Sequence, residues 1–197
     1  AYFETAPSLT GRGEPEQLQA FRVSSGFLPM LGLAPSAGRT FRPEEDDPRA
    51  ERVVMISQAL WKRRFAASPE VLGTKIMLGG EPHTVIGILP PRFPLDARPD
   101  VCVPLRLDVE RAPRGLHFIT VLGRLRPGPD LRQARAELRG IAQQLRSDSV
   151  TRHGIEIVPL QESMVGETRP ALLVLLGAVG FVLLIACANA TNLLLAR

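Results

Sequence analysis

The residue types that most often do chemistry are few here and widely spread. Three histidines, His83, His117 and His153, fall in separate stretches. None has the HxxxH or HExxH spacing that places two imidazoles on one helix face for zinc. The two cysteines, Cys102 and Cys187, lie far apart, and Cys187 sits in an apolar run. A zinc or redox site needs closer thiol or imidazole partners. Glu44-Glu45-Asp46-Asp47 is a run of four acids, but a calcium loop alternates its ligands around a central glycine. The run therefore reads as a solvated turn. Ser57 has no GxSxG context, and no GxxxxGK[ST] phosphate cradle occurs anywhere. Gly79-Gly80 is a turn rather than a cradle, because no helix start follows it. No catalytic, cofactor-binding or metal-ligating residue is assigned, no cofactor is expected, and the chain alone should not hydrolyse ATP.

Charge narrows the partners. The 197 residues carry a formal net charge of +4, with 45% apolar and 22% charged residues, close to a globular average. Lys62 and Lys75 are the only lysines, so arginine supplies nearly all the positive charge. It is spread along the chain without a dense basic stripe. Only 5% of residues are aromatic, too few for a base-stacking module, so nucleic acid is not expected as a partner. Lys62-Arg63-Arg64 could meet a lipid headgroup; a solvated helix face is the simpler reading.

The elements that must position these residues are those of an α+β domain. Residues 1–16 are polar and hold two prolines and two glycines, a loop signature. Gln17–Val23 reads as a strand. Ser24-Ser25 offers a helix N-cap, Phe27, Met30 and Leu31 an apolar face, and Gly32 a stop. Val53–Ile56 is a buried-strand signature, and Ser57 caps a helix whose Leu60, Trp61 and Phe65 share one side. That predicts Trp61 as a core anchor rather than a ligand contact. Thr74–Leu78, Gly79-Gly80 and Thr84–Leu89 form a β-hairpin. Val101–Leu107 reads as a strand, with Pro104 placing it near an edge. Phe118–Arg126, a helix opened by Asp130 and Gln133, and Ile155–Leu160 make a βαβ pattern. The helix carries Leu131, Ala134, Leu138, Ile141 and Leu145 as its apolar stripe, with Arg132, Arg135, Arg139 and Arg146 off it. Gln161–Arg169 is a short connection.

Ala171–Ala196 is 26 residues without a formal charge. As a helix it measures about 39 Å against roughly 30 Å of hydrocarbon. Pro170 suits a helix start, and Arg169 and Arg197 bracket the run. A transmembrane span is expected, with Asn189 and Asn192 near the far interface and Ala186 and Ala190 on one small-residue face. The domain boundaries are thus 1–169, the domain before the span, and 170–197, the transmembrane helix. The flanking arginines do not orient the span. The chain begins Ala1-Tyr2-Phe3-Glu4 without an initiator methionine and reads as an N-terminally truncated piece of a longer protein.

The order of these stretches resembles the MacB/FtsX-type permeases of ABC transporters. The resemblance begins at Phe21–Phe27 and continues through Leu31-Gly32 and Gly38–Phe41. It is tightest at Val53–Phe65 and Gly73–Pro90, and resumes at Leu122–Leu138. Leu175–Arg197 looks like the second membrane helix of such a permease, at the start of its FtsX-like region. The resemblance implies a MacB-like periplasmic core domain followed by that helix, in the bacterial inner membrane, with residues 1–169 periplasmic or extracellular. It also implies an ABC-type ATPase as a separate domain or subunit, further permease helices, a dimer in the full-length protein, and a periplasmic adaptor. The implied role couples cytoplasmic ATP hydrolysis to export or other extracytoplasmic work. Two rivals are a single-span anchored binding or adaptor module and a membrane-tethered enzyme. Further membrane helices and a neighbouring ATPase gene would argue against the first; a cleft with a strongly perturbed acid or histidine would support the second.

Overall fold

The computed structural model describes residues 1–11, 13–93, 98–108, 118–128, 130–148, 156–165 and 168–195. The chain divides into two compact units, Ala1–Gly128 and Pro129–Arg197.

The first unit is built on one curled sheet. Its strands are β1 (Tyr2–Thr5), β2 (Ser8–Thr10), β3 (Glu16–Gln17), β4 (Ala20–Val23), β5 (Ala37–Gly38), β6 (Val53–Ile56), β7 (Lys75–Leu78), β8 (Glu81–Ile88) and β9 (Val101–Pro104). The spatial order is β1-β4-β9-β6-β8-β7-β2-β3, and β5 pairs with β8 beyond the reach of β7. Two parallel pairings, β4 with β9 and β6 with β8, sit among antiparallel ones.

Side-chain alternation along the strands makes two cores, one on each face. Val54, Ile56, Val85, Val101 and Leu78 join Leu60 and Phe65 on the first face. Val53, Met55, Phe21, Val23 and Cys102 join Phe27, Leu28 and Phe41 on the second. A strand covered on both faces has no position left for a polar side chain. That is why β6 reads Val-Val-Met-Ile and all four residues are buried.

Short helices supply the covers. α1 (Phe27–Met30) buries Phe27 and Leu28 and stops at Gly32, whose φ is +73°. α2 (Gln58–Phe65) begins where the Ser57 hydroxyl accepts the Leu60 amide at 3.0 Å. It ends in two left-handed alanines, Ala66 and Ala67, with φ of 50° and 54°. Left-handed backbone costs a non-glycine residue roughly 1–2 kcal/mol. The Trp61 indole N–H offsets part of it by donating to the Ser68 carbonyl at 2.8 Å across that turn. The β7–β8 turn uses Gly79 and Gly80 at φ of 58° and 83°, the pair of positive values a two-residue hairpin turn demands. Gly38 and Gly87 meet where β5 crosses β8. A Cβ on Gly38 would stand 2.3 Å from the Ile86 carbonyl oxygen.

Several expectations need correction. Residues 1–16 are not a loop; they hold β1, β2 and the start of β3, with β1 paired to β4, β2 to β7 and β3 to β2. Gln17–Val23 is not one strand: it breaks at Leu18, whose amide turns to the Pro7 carbonyl. β9 is central, between β4 and β6, rather than near an edge. Pro104 is tolerated because it is the last residue of the strand and Leu105 supplies the next amide, to Val23. The α1 N-cap is Gly26 without a side-chain bond. Ser24 instead holds the N-terminal amine at 3.0 Å, and the Ser25 amide donates to Asp46. Trp61 is half-buried, packed on the rim of the first core, while Leu60 and Phe65 are its buried neighbours.

The βαβ pattern does not form among the described residues. Phe118–Arg126 forms no strand and makes one bridge, Thr120 to Tyr2, with Phe118 edge-on to Phe3 at 5.2 Å. Residues 156–159 form no strand, and Ile155 lies outside the described residues.

The second unit is helical. α3 (Leu131–Asp148) opens with the expected reciprocal cap: the Gln133 amide donates to Asp130 at 2.8 Å and the Asp130 amide to Gln133 at 3.2 Å. Its stripe is only partly covered. Leu131, Ala134 and Leu138 are half-buried, but Ile141 is exposed and Ala142 is buried instead. The side chain of Leu145 lies outside the described residues. Arg135, expected off the stripe, is half-buried and donates twice to the Ile157 carbonyl, at 3.1 and 2.8 Å. The connection before the apolar run is itself helical, α4 (Leu160–Val165), and α5 runs Thr168–Leu195, so Arg169 and Pro170 lie inside it.

Among the described residues no helix is long and apolar enough to cross a membrane.

Candidate functional site

No group of histidine, cysteine or acidic residues among those described could hold a metal ion. Cys102 is wholly buried, and burial pushes its thiol well above the usual range, which makes it a small apolar side chain and not a nucleophile. His117 and His153 lie outside the described residues. His83 is on β8, half-buried, with Nδ1 3.0 Å from the Glu81 carbonyl.

The acidic run is not simply solvated. It forms a 3₁₀ turn, Pro43–Asp46, inside a set of bonds. Glu45 takes both prongs of Arg39, at 3.1 and 2.6 Å, and the Arg42 amide at 2.8 Å. Burial alone would raise the Glu45 carboxyl; the Arg39 fork and the Arg42 amide outweigh it and hold the group below its ordinary value. The basic triplet is likewise tied down. Arg63 donates to Glu16 at 2.6 Å and to Asp100 at 2.9 Å, and Arg64 reaches the Glu14 carbonyl at 2.6 Å. These bonds clamp α2 to β3 and to the residue before β9. A headgroup would have to displace them.

One polar cluster has no counterpart in the sequence reading. It lies where the first core runs out, at the end of the sheet holding Leu78 and Val103. Arg22 of β4 stands opposite Phe3 on one neighbouring strand and Val103 on the other. Its guanidinium carbon is 5.8 Å from the centre of the Phe3 ring. Arg52, just before β6, grips Glu81 with two bonds of 2.7 and 2.5 Å. Arg106, just after β9, has a positive φ of 48° and donates to the Pro48 carbonyl. A hollow of about 330 Å³ opens beside Arg22, Glu81 and His83, with Pro7, Leu78 and Val103 as apolar walls.

The cations act on one another. Burial, with Arg52 adding to it, holds Arg22 below the usual guanidinium range, against the pull of Glu81. Burial and the charges of Arg52 and Arg22 do the same to Arg106. Burial lowers His83, and Arg52 and Arg106 push the same way, so the imidazole is favoured in its neutral form. Arg22 Nε and Arg106 Nη1 are shut off from solvent and have no hydrogen-bond partner. No sequence signal marks this cluster, because its members lie on β4, β8 and the ends of β6 and β9. A second hollow, about 420 Å³, runs along α5 and is walled by leucines and Val179, with no polar group to do chemistry.

The chain belongs to the family of MacB-like periplasmic core domains, whose model matches residues 2–141. Its fold is similar to the periplasmic region of MacB from Actinobacillus actinomycetemcomitans, at 16% identity and a TM-score of 0.55, over 74% of this chain and 65% of that one. It is also similar to a domain of a protein described as a permease from Porphyromonas gingivalis, at 15% identity and a TM-score of 0.52, over 82% and 79%. The extracellular domain of the noncanonical ABC-type transporter YknZ from Gram-positive bacteria aligns at 21% identity and a TM-score of 0.43, over 53% of this chain. The chain spans about half of that domain, 52% of its length. No curated protein matches the chain.

Proposed function

We propose that the chain is the extracytoplasmic part of an ABC transporter permease together with the start of its membrane region. In this reading residues 1–169 lie outside the cell membrane and 170–197 enter it. An ATPase on a separate domain or subunit drives the motion, and the chain itself is not an enzyme. The observation that carries the reading is succession: a family-matched periplasmic core domain, residues 2–141, followed by a 28-residue helix that carries no charge after Arg169. Every described side chain of α5 from 172 to 188 is exposed, an arrangement that lipid or other permease helices would satisfy. Only residues 166–167 separate α4 from α5. Displacement of a membrane helix would therefore pass to α4 without a slack linker to absorb it. A dimer and a periplasmic adaptor belong to the same proposal.

The test uses bacterial membranes holding the full-length permease with its ATPase. Glu44 is exposed, so Glu44→Cys should react with a membrane-impermeant maleimide in intact spheroplasts. Alkaline extraction should leave the chain in the membrane, and ATP should change the labelling rate. Labelling only after lysis would overturn the topology. A rate indifferent to ATP and to a hydrolysis-dead ATPase would overturn the coupling.

A further inference from the structure

We propose that His83 is a proton-operated release at the end of the sheet where β6 and β8 begin: once charged, it breaks the grip of Arg52 on Glu81. The inference does not rest on the transport reading. Three features of the geometry carry it.

The first is the state of the imidazole. Nδ1 lies 3.0 Å from the Glu81 carbonyl oxygen. A carbonyl only accepts, so Nδ1 carries the proton and Nε2 keeps its lone pair. The second is the set of neighbours. Val53 stands beside Thr84 in the parallel pairing of β6 with β8, and the Thr84 amide donates to the Arg52 carbonyl at 2.8 Å. Arg52 is therefore the cross-strand neighbour of His83, and like charges so placed destabilise a sheet. Arg22, from β4, lines the same hollow as His83. Arg106, after β9, is the third cation that acts on the imidazole. On the other side β7 presents Ile76, and Thr5, Ala6 and Pro7 of the β1–β2 link bring no charge. The third feature is that the counter-charge is already taken. Among the described residues lining the hollow, Glu81 is the one acid. Arg52 holds both of its carboxylate oxygens, at 2.7 and 2.5 Å.

Protonation gives the imidazole a second N–H and adds a fourth cation to three. The imidazolium and Arg52 then compete for one carboxylate. The pair that ties the residue before β6 to the first residue of β8 opens. Burial, with Arg52 and Arg106, outweighs the pull of Glu81 and holds the imidazole below its ordinary value. Above the unfolded value, about 6.5, His83 is neutral in both states and costs no stability. As pH falls from there toward the lower folded value, the unfolded chain takes up the proton first and stability is lost. Release therefore belongs to mild acid, the range in which histidine switches act.

The test uses the whole chain in a nonionic detergent, labelled with ¹³C and ¹⁵N and titrated from neutral pH into the acid range. The His83 Hε1 resonance, assigned through its backbone, reports the proton; the Arg52 Nε–H resonance reports the grip. The His83 midpoint should lie below that of a free imidazole, and the Arg52 resonance should move with that same midpoint. In His83→Gln the Arg52 resonance should move only where carboxylates titrate. Arg52→Gln removes a neighbouring cation and frees Glu81, so it should raise the His83 midpoint by about one pH unit. Glu81→Gln should lower it. The side chains of Arg52 and Glu81 are 42% and 54% exposed, so these two variants keep the test valid should His83→Gln fail to fold. An Arg52 resonance that ignores the His83 midpoint would overturn the release, as would the same movement in His83→Gln. A His83 midpoint unmoved by Arg52→Gln and by Glu81→Gln would overturn the charge cluster as its cause.

Discussion

β6 and the 172–188 stretch of α5 are both uncharged and apolar, yet one is wholly buried and the other exposed. The four residues of β6 find Leu60 and Phe65 on one face and Phe27 and Phe41 on the other, all from within the first unit. The described side chains of α5 find no such cover; Val174 is 74% exposed and Phe181 71%. Burial of apolar area is worth about 25 cal/mol per Å² wherever the cover comes from. The same chemistry therefore stabilises the domain in one region and, in the other, leaves a surface fit for lipid or partner helices. Stability and association are divided between the two regions, and substitutions can separate them.

The sharpest separation comes from truncating each region once. Leu60 is 0% exposed, so Leu60→Ala should cost about 2–5 kcal/mol of folding free energy. Leu183→Ala, at a position 63% exposed, should leave the denaturation midpoint of the first unit unchanged in detergent. Urea titration followed by Trp61 fluorescence reads both, and equal losses would break the comparison.

Gly38→Ala tests the close backbone approach that seats β5 on β8. The new Cβ meets the Ile86 carbonyl at 2.3 Å with φ at +77°, so a loss of about 2–3 kcal/mol is expected. A neutral result would mean that β5 is not seated on β8.

The helix that covers the first face offers smaller changes. Ser57→Ala should cost about 1 kcal/mol through the lost cap. Trp61→Phe should cost about 1 kcal/mol through the lost bond to Ser68. The half-buried Trp61 should show emission between that of a core and a free indole. Emission of a fully buried indole would return Trp61 to the core.

The smallest effect is one of pH. Glu45 has a folded pKa below its unfolded value. Its contribution is fully present above the unfolded value and is lost as pH falls through the folded one. Between neutral pH and the acid range, Glu45→Gln should flatten the decline in melting temperature seen in the parent. An identical slope in the two proteins would remove the Arg39–Glu45 pair from the stability of this turn.

Local rules reached much of the fold. The β6 strand, the Ser57 cap, the glycine hairpin and the Asp130–Gln133 cap each depend on residues at most a few positions apart. The family, too, was legible in the order of its stretches. Residues 1–16 were not, because β1 and β2 are strands only by pairing with β4 and β7. Nor was the central place of β9, since a proline near a strand end is equally consistent with an edge. Arg63 looked like a surface cation because Glu16 and Asp100, its partners, are remote in sequence. Arg22 and Arg106 carried no pattern at all.

By itself the sequence determined which segments are apolar, where helices start and where the chain turns, because those follow from side-chain chemistry and near-neighbour bonds. Tertiary structure alone decided which strand is central, which cations pair and which are left with unused donors, because each depends on residues that only the folded sheet brings within a few ångströms.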